Sequence, residues 1–285
     1  RKQNMIRADR TLALALARLR RNSAPRKGRL PILMYHSASP DDDARAHPYY
    51  QTNTTPDCFA RQMQWLADRG YSTPALHANA IPDHDTAADK AVLTFDDGVA
   101  GILTDIAPIL SRHGFTAMVF LPTGFIGEPR MQFMGRPCLT WSEVRELRHA
   151  EIRFGSHTVH HLELVRLPRD EIRRELADSR DRIEQELGES VTAFSYPFAF
   201  PEAYRSFVKS FRAMLVEAGY TVAVTTRIGT VAAGDDPLLL KRLPVNSMDD
   251  EQLFAAKLAG AYDWLGCAQR AAKNLKRVLH PGRPA

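Results

Sequence analysis

The strongest constraint on this chain is a repeated alternation. Short apolar runs of strand length are separated by stretches with helical periodicity, from residue 30 to about residue 245. Strands are expected at 30–36, 91–95, 115–121, 151–154, 191–195, 221–224 and 238–243. Helices are expected at 56–69, 102–112, 141–149, 168–187 and 202–217. The helical segments carry their apolar residues at i, i+3 or i+4. Phe59, Met63 and Leu66 share one face, and Ile172, Leu176, Ile183 and Leu187 share another. Strands alternating with helices require a parallel sheet with helices packed outside it. At least seven strands, without a GxGxxG loop or a P-loop, favour a barrel over an open nucleotide-binding sheet. The expected fold class is α/β, a single TIM-like barrel domain with helical, basic ends.

Composition supports a globular enzyme-sized chain. Of 285 residues, 44% are hydrophobic and 25% charged, enough to bury a core without disulfides. Cys58, Cys138 and Cys267 are widely spaced and form no CxxC, which fits thiols in a reducing compartment. Lys and Arg outnumber Asp and Glu by 38 to 33, and the excess sits at the two ends. The division expected is a basic N-terminal segment at 1–29, the barrel at 30–248 and a basic helical tail at 249–285. Within the first segment, Leu12, Leu16 and Leu19 fall on one helical face, with Arg7, Arg10, Arg18 and Arg21 opposite. Such a helix suits an anionic membrane surface, or packing against the domain itself or a second subunit. No signal peptide or transmembrane run is recognisable, so the expected location is cytoplasmic or peripheral at the inner membrane face. No nucleic-acid partner is expected.

Catalytic groups of barrel enzymes lie just beyond the C-terminal ends of strands. Those positions here hold His36, Asp96-Asp97, His157 to His161, Tyr196-Pro197-Phe198 and Arg242. Adjacent carboxylates repel unless a cation or proton compensates, so one of the two aspartates can bind metal while the other serves as a base. His157 and His161 are four apart and can share a face, and His160 competes by its spacing of three from His157. One Asp and two His leave an open coordination position for water, the pattern of a catalytic metal site. The implied chemistry is metal-assisted hydrolysis of an amide or ester.

With Pro31-Ile-Leu-Met-Tyr-His36, Thr94-Phe-Asp-Asp-Gly98 and His157-Thr-Val-His-His161 in this order, the chain resembles the polysaccharide deacetylase family. These are the NodB-homology domains of carbohydrate esterase family 4. The resemblance runs from Pro31 to about Val245. It implies a distorted (β/α)7 barrel and a divalent metal on Asp97, His157 and His161, with Asp96 as general base. Zinc is the default for that ligand set, with cobalt, nickel or manganese as alternatives. The implied activity is removal of N-linked acetyl groups from amino sugars of a polysaccharide, an oligosaccharide or a glycan precursor.

Two departures stand out. The family's Arg-x-Pro-Tyr reads Ser195-Tyr196-Pro197-Phe198, so Phe198 would supply the backbone N–H of the oxyanion site, beside Tyr196 and Pro197 at the substrate. The arginine that would orient the base is Ser195, and Arg242 in Lys241-Arg-Leu-Pro-Val245 is its candidate substitute. The family's late Leu-x-His is absent from Leu243-Pro-Val245, leaving either His36 or Asp96 itself to protonate the leaving amine. Trp141 is expected either to wall the acyl pocket or to pack in the core, and residues 130–138 are expected to pass over the rim. Tyr262, Asp263 and Trp264 read as helix packing. Two alternative functions follow: deacylation of a lipid-linked amino sugar, such as deformylation, or a catalytically impaired glycan-binding relic.

Overall fold

A computed structural model of the protein describes residues 7–20, 28–37, 52–80 and 89–279. Most of the segment 37–55 between the first strand and the first following helix, Arg21 and the outer parts of both basic ends lie outside the described residues.

Seven parallel strands close a barrel: β1 (Ile32–Tyr35), β2 (Val92–Phe95), β3 (Ala117–Leu121), β4 (Ile152–Ser156), β5 (Ala193–Ser195), β6 (Val222–Ile228) and β7 (Leu240–Pro244). The strands neighbour one another in chain order, and β7 returns to β1 with Leu243 opposite Leu33 and Pro244 opposite Met34. The expected seven-stranded barrel is therefore the observed one. Side chains alternate along each strand with period two. Ile32, Val92, Met118, Phe120, Ala193, Val222, Val224 and Leu240 fill the barrel interior. Leu33, Tyr35, Leu93, Phe95, Val119 and Phe154 point outward into the larger core beneath the helices. A short antiparallel pairing of Arg29–Leu30 with Val231–Ala232 adds Leu30 and Val231 to the interior cluster, at the N-terminal end of β1.

The outer layer comprises α1 (Ala8–Arg20), α2 (Pro56–Asp68), α3 (Ala107–His113), α4 (Trp141–Leu147), α5 (Arg169–Leu187), α6 (Arg205–Glu217), α7 (Glu251–Leu258) and α8 (Asp263–Leu279). Where α2 begins, the Thr55 side chain accepts from the Cys58 N–H and Pro56 takes the first turn, which needs no donor there. The helix expected at 102–112 is not uniform. Residues Ile102–Ile106 form a wider π-type turn before α3, because Pro108 has no N–H to continue the α-helical ladder. Strand β6 runs on to Ile228, beyond the expected end at 224. Cys58 and Cys138 are buried free thiols and Cys267 is an exposed one.

The two ends of the chain meet. Arg7 donates to the Met248 carbonyl at 3.0 Å, Arg10 to Asp250 at 2.8 Å, and the Tyr262 hydroxyl to Asp9 at 2.6 Å. Helix α1 thus docks on α7 through Ala13, which is fully buried, and through the very arginines expected to face away. Leu12 and Leu19 remain exposed at 43% and 76%. Tyr262 and Asp263 do more than pack. The Asp263 carboxylate accepts from Arg29 at 2.7 Å and from the Thr230 N–H at 2.9 Å, tying α8 to the short pairing beneath the barrel. Among the described residues no helix is long and apolar enough to cross a membrane.

Candidate metal and catalytic site

Inward parity carries the site. Thr94, Ser195 and Arg242 are inward-facing residues of β2, β5 and β7, and Asp96 continues the same parity one step past β2. All four therefore meet inside the C-terminal end of the barrel. Arg242 donates to Asp96 Oδ1 at 2.8 Å and to Oδ2 at 2.7 Å. Its remaining N–H groups reach Thr94 Oγ1 at 3.2 Å, Ser195 Oγ at 3.1 Å and the Thr225 carbonyl at 3.1 Å. Five donors thus meet five acceptors, so a fully buried guanidinium has no unsatisfied hydrogen. Ser195 Oγ in turn donates to Asp96 Oδ1 at 3.1 Å. Burial opposes ionisation of Asp96, but Arg242 outweighs it and holds the carboxyl well below the usual carboxylate range.

Asp97 turns the other way, at φ 70°, with Gly98 following at 57°. Its Oδ1 lies 3.6 Å from His157 Nε2 and 3.7 Å from His161 Nε2. These gaps are too long for hydrogen bonds. They are near the ~3.3 Å that separates two ligands of a tetrahedral ion with metal–ligand bonds of about 2.0–2.1 Å. The potential ligand atoms of the three side chains all lie within 4.8 Å of one another. His157 Nδ1 lies 2.8 Å from the Ser195 carbonyl; as the donor there, it leaves the Nε2 lone pair facing Asp97. Burial and the Asp96 charge push Asp97 up to about 7, and burial lowers His161 to about 3. One carboxylate facing two imidazoles is a donor set that fits a divalent cation.

The loop carrying both histidines is built on α5. The buried Glu175 carboxylate accepts from the Val159 and His160 N–H groups, both at 2.9 Å, and lies 2.6 Å from His160 Nδ1. His160 therefore faces Glu175 and not Asp97, which separates it from His161. Left-handed φ at Thr158 (69°) and His161 (52°) lets the chain bring the fifth residue back beside the first. Glu175 was not foreseen, although a signal existed: it lies three residues after Ile172, on the apolar face of its helix.

Around this centre opens a cleft of about 720 Å³, lined by Met34, His36, Asp96, Asp97, Phe133, Met134, Arg136, His161, Tyr196, Phe198, Ile228 and Val245 among others. His36 Nε2 sits 4.0 Å from Asp96 Oδ2, and burial lowers its pKa to about 4. Phe198 has a left-handed φ of 58°, its ring meets His161 edge to face at 4.6 Å, and its N–H has no acceptor among the described residues. Tyr196 lines the cleft while Pro197 is buried beside it. Trp141 does not line it. A capping box between Thr140 and Glu143 starts α4 so that Trp141 turns into the core, 3% exposed, with Arg182 over its ring. Residues 130–138 do cross the rim, as the hairpin Gln132–Phe133/Arg136–Pro137.

Comparisons with known proteins agree with this architecture. The polysaccharide deacetylase family profile matches residues 83–223. The polysaccharide deacetylase-type protein YxkH of Bacillus subtilis (strain 168) is 30% identical over 231 residues, 80% of this chain and 75% of its own. Among solved structures, the Streptococcus pyogenes deacetylase PplD, in complex with acetate, superposes with a TM-score of 0.67 at 26% identity. That match covers 81% of this chain and 98% of PplD. IcaB from Ammonifex degensii shares the fold, with a TM-score of 0.65 at 21% identity over 82% of this chain and 98% of its own. Barrel, strand-end motifs and sequence kinship converge on one assignment: this chain belongs to the polysaccharide deacetylase family.

Proposed function

We propose that the protein is a metal-dependent hydrolase that removes N-acetyl groups from amino sugars of a glycan or glycan precursor. The observation that carries this reading is the convergence of Asp97, His157 and His161 beside an Asp96 clamped by Arg242. A divalent ion, zinc by ligand preference, would be held by those three side chains, lower the pKa of a water and polarise the amide carbonyl.

The chain's own groups do the rest. Asp96, kept ionised by Arg242 and lining the cleft, accepts the proton of the attacking water. The free Phe198 N–H lies on the same rim to stabilise the oxyanion, with Tyr196 and Pro197 shaping the floor. The proton then has to reach the leaving nitrogen. His36, neutral and 4.0 Å from Asp96, is the proposed carrier. The test is acetate release from a panel of N-acetylated amino sugars and oligosaccharides by metal-loaded protein. Activity should vanish on chelation and in Asp97→Ala. It should also vanish in Asp96→Asn while that variant still binds metal. Undiminished turnover by Asp96→Asn would overturn the base assignment.

We also propose that α1 contacts an anionic membrane surface. Docked through Ala13, it turns Leu12 and Leu19 outward beside Arg18. Co-sedimentation with phosphatidylglycerol vesicles should fall when both leucines become Ser; equal binding by wild type and variant would remove the proposal.

A further inference from the structure

The rim hairpin holds a cation that the chemistry above does not use. Its two-residue turn has positive φ at both positions, Met134 at 50° and Gly135 at 77°, as a type I′ turn demands. The turn is pinned from both strands. Phe133 packs on His161 and on Phe125, each at 4.8 Å between ring centroids, and Arg136 donates to Ser37 Oγ at 2.8 Å. Arg136 is thereby fixed, half-buried, on the wall of the cleft that His161 and Asp97 also line. Among the described residues no carboxylate forms an ion pair with it. By contrast, the Arg7, Arg10, Arg130 and Arg145 guanidiniums each hold one.

The charge balance of the cleft points the same way. Asp96 and Arg242 cancel within their pair. Arg136 has no ion-pair partner among the described residues, so its charge stays available at the cleft wall. A guanidinium on a cleft wall with no carboxylate partner among the described residues is a recognition element for a carboxylate or a phosphate.

Resting on the deacetylase reading, we propose that Arg136 selects substrates whose acylated amino sugar carries an anionic substituent close to the N-acyl group. Two sources share that chemistry: a carboxylate ether on the sugar, or a phosphate at its anomeric carbon. Arg136 is then a specificity residue that grips the sugar beside the scissile amide.

Three probes test this: the methyl glycoside of N-acetylglucosamine, N-acetylmuramic acid and N-acetylglucosamine 1-phosphate. Each is used for acetate release and, as its non-hydrolysable N-methylsulfonyl analogue, for calorimetric binding to metal-loaded protein. Wild type should favour one anionic probe over the neutral one by about tenfold, the usual scale for a charge-assisted hydrogen bond. The preferred anion identifies the source. In Arg136→Gln the anionic-to-neutral ratio should collapse towards one, and Arg136→Lys should restore most of it. No discrimination by wild type, or an equal loss on all three probes in Arg136→Gln, would overturn the proposal. Absence of acetate release from every probe would count against the deacetylase reading alone, because the binding ratio still reports on Arg136.

Discussion

Arg242 grips Asp96 through two parallel hydrogen bonds of 2.8 and 2.7 Å, with both side chains shut off from solvent. The pair joins the last strand of the barrel to the second, so it is at once a closure of the barrel and a support for the proposed base. Arg242→Met would leave a buried carboxylate without its counter-charge, which costs about 3–5 kcal/mol. It would also let Asp96 take up a proton, and acetate release should fall by roughly 10²-fold or more, the usual scale for losing a general base. Urea unfolding and turnover, measured side by side, check both losses. A variant as stable and as active as wild type would show that the grip serves neither purpose.

Gly155 occupies an inward position of β4 that has no room for a side chain. A Cβ there would lie 2.7 Å from the Phe120 ring and 2.8 Å from the Ala193 carbonyl oxygen. Neither a packed ring nor a strand backbone can yield cheaply, so Gly155→Ala should destabilise the protein by about 1–3 kcal/mol. Because β4 leads directly into His157, metal affinity should fall with stability. Denaturant midpoints and a metal-binding titration measure the two, and an unchanged midpoint would mean that β4 and β5 move apart without penalty.

The barrel and most of the site were legible because their signals are local. A strand, its terminal carboxylates and the glycine that turns the chain occupy Val92 to Gly98 without a break, and both proposed ligand histidines fall within five residues. Arg242 was legible in part. Its parity with Leu240 sends it inward, but only closure of β7 against β1 brings it to Asp96. Glu175 was hidden because a glutamate on a helix rich in charge reads as solvated, and only its spacing from Ile172 and Ser179 betrays an inward face. Arg136 gave no periodic signal at all, since a two-residue strand is too short to have a period. Trp141 illustrates the opposite case. Its place at the start of a helix left pocket wall and core both open, and the Thr140 cap sets the helix so that Trp141 occupies its inner face.

The docking of α1 should be sensitive to acid. Burial disfavours the Asp9 carboxylate, but hydrogen bonds from Arg7 and Tyr262 outweigh it and hold the group at about 2, below its unfolded value of 3.8. A depressed carboxylate contributes stability that is present above the unfolded pKa and lost as pH falls through the folded one. The stability difference between wild type and Asp9→Asn should therefore be constant above about pH 5 and shrink between pH 4 and 2. Hydrogen exchange of the α1 amides in the two proteins follows this directly. A difference that persists unchanged below pH 2 would remove Asp9 ionisation as its cause.

Glu175 offers the sharpest separation of support from ligation, because it touches the histidine loop and not the ligand atoms. Its carboxylate accepts from two consecutive backbone N–H groups at 2.9 Å and sits on the buried face of α5. In Glu175→Gln volume is preserved but the charge is lost, so the hydrogen bonds from both N–H groups and the contact with His160 Nδ1 weaken together. The loop then loses the restraint that keeps the left-handed Thr158 and His161 in place. Metal affinity should drop about 10- to 100-fold, the range typical of residues that orient ligands without binding the ion. Competition with a metal-chelating dye reads that affinity without reference to turnover. At saturating metal, the kcat of Glu175→Gln should return most of the way to wild type, which Asp97→Ala cannot do. An affinity equal to that of wild type would show that the loop holds its shape without Glu175.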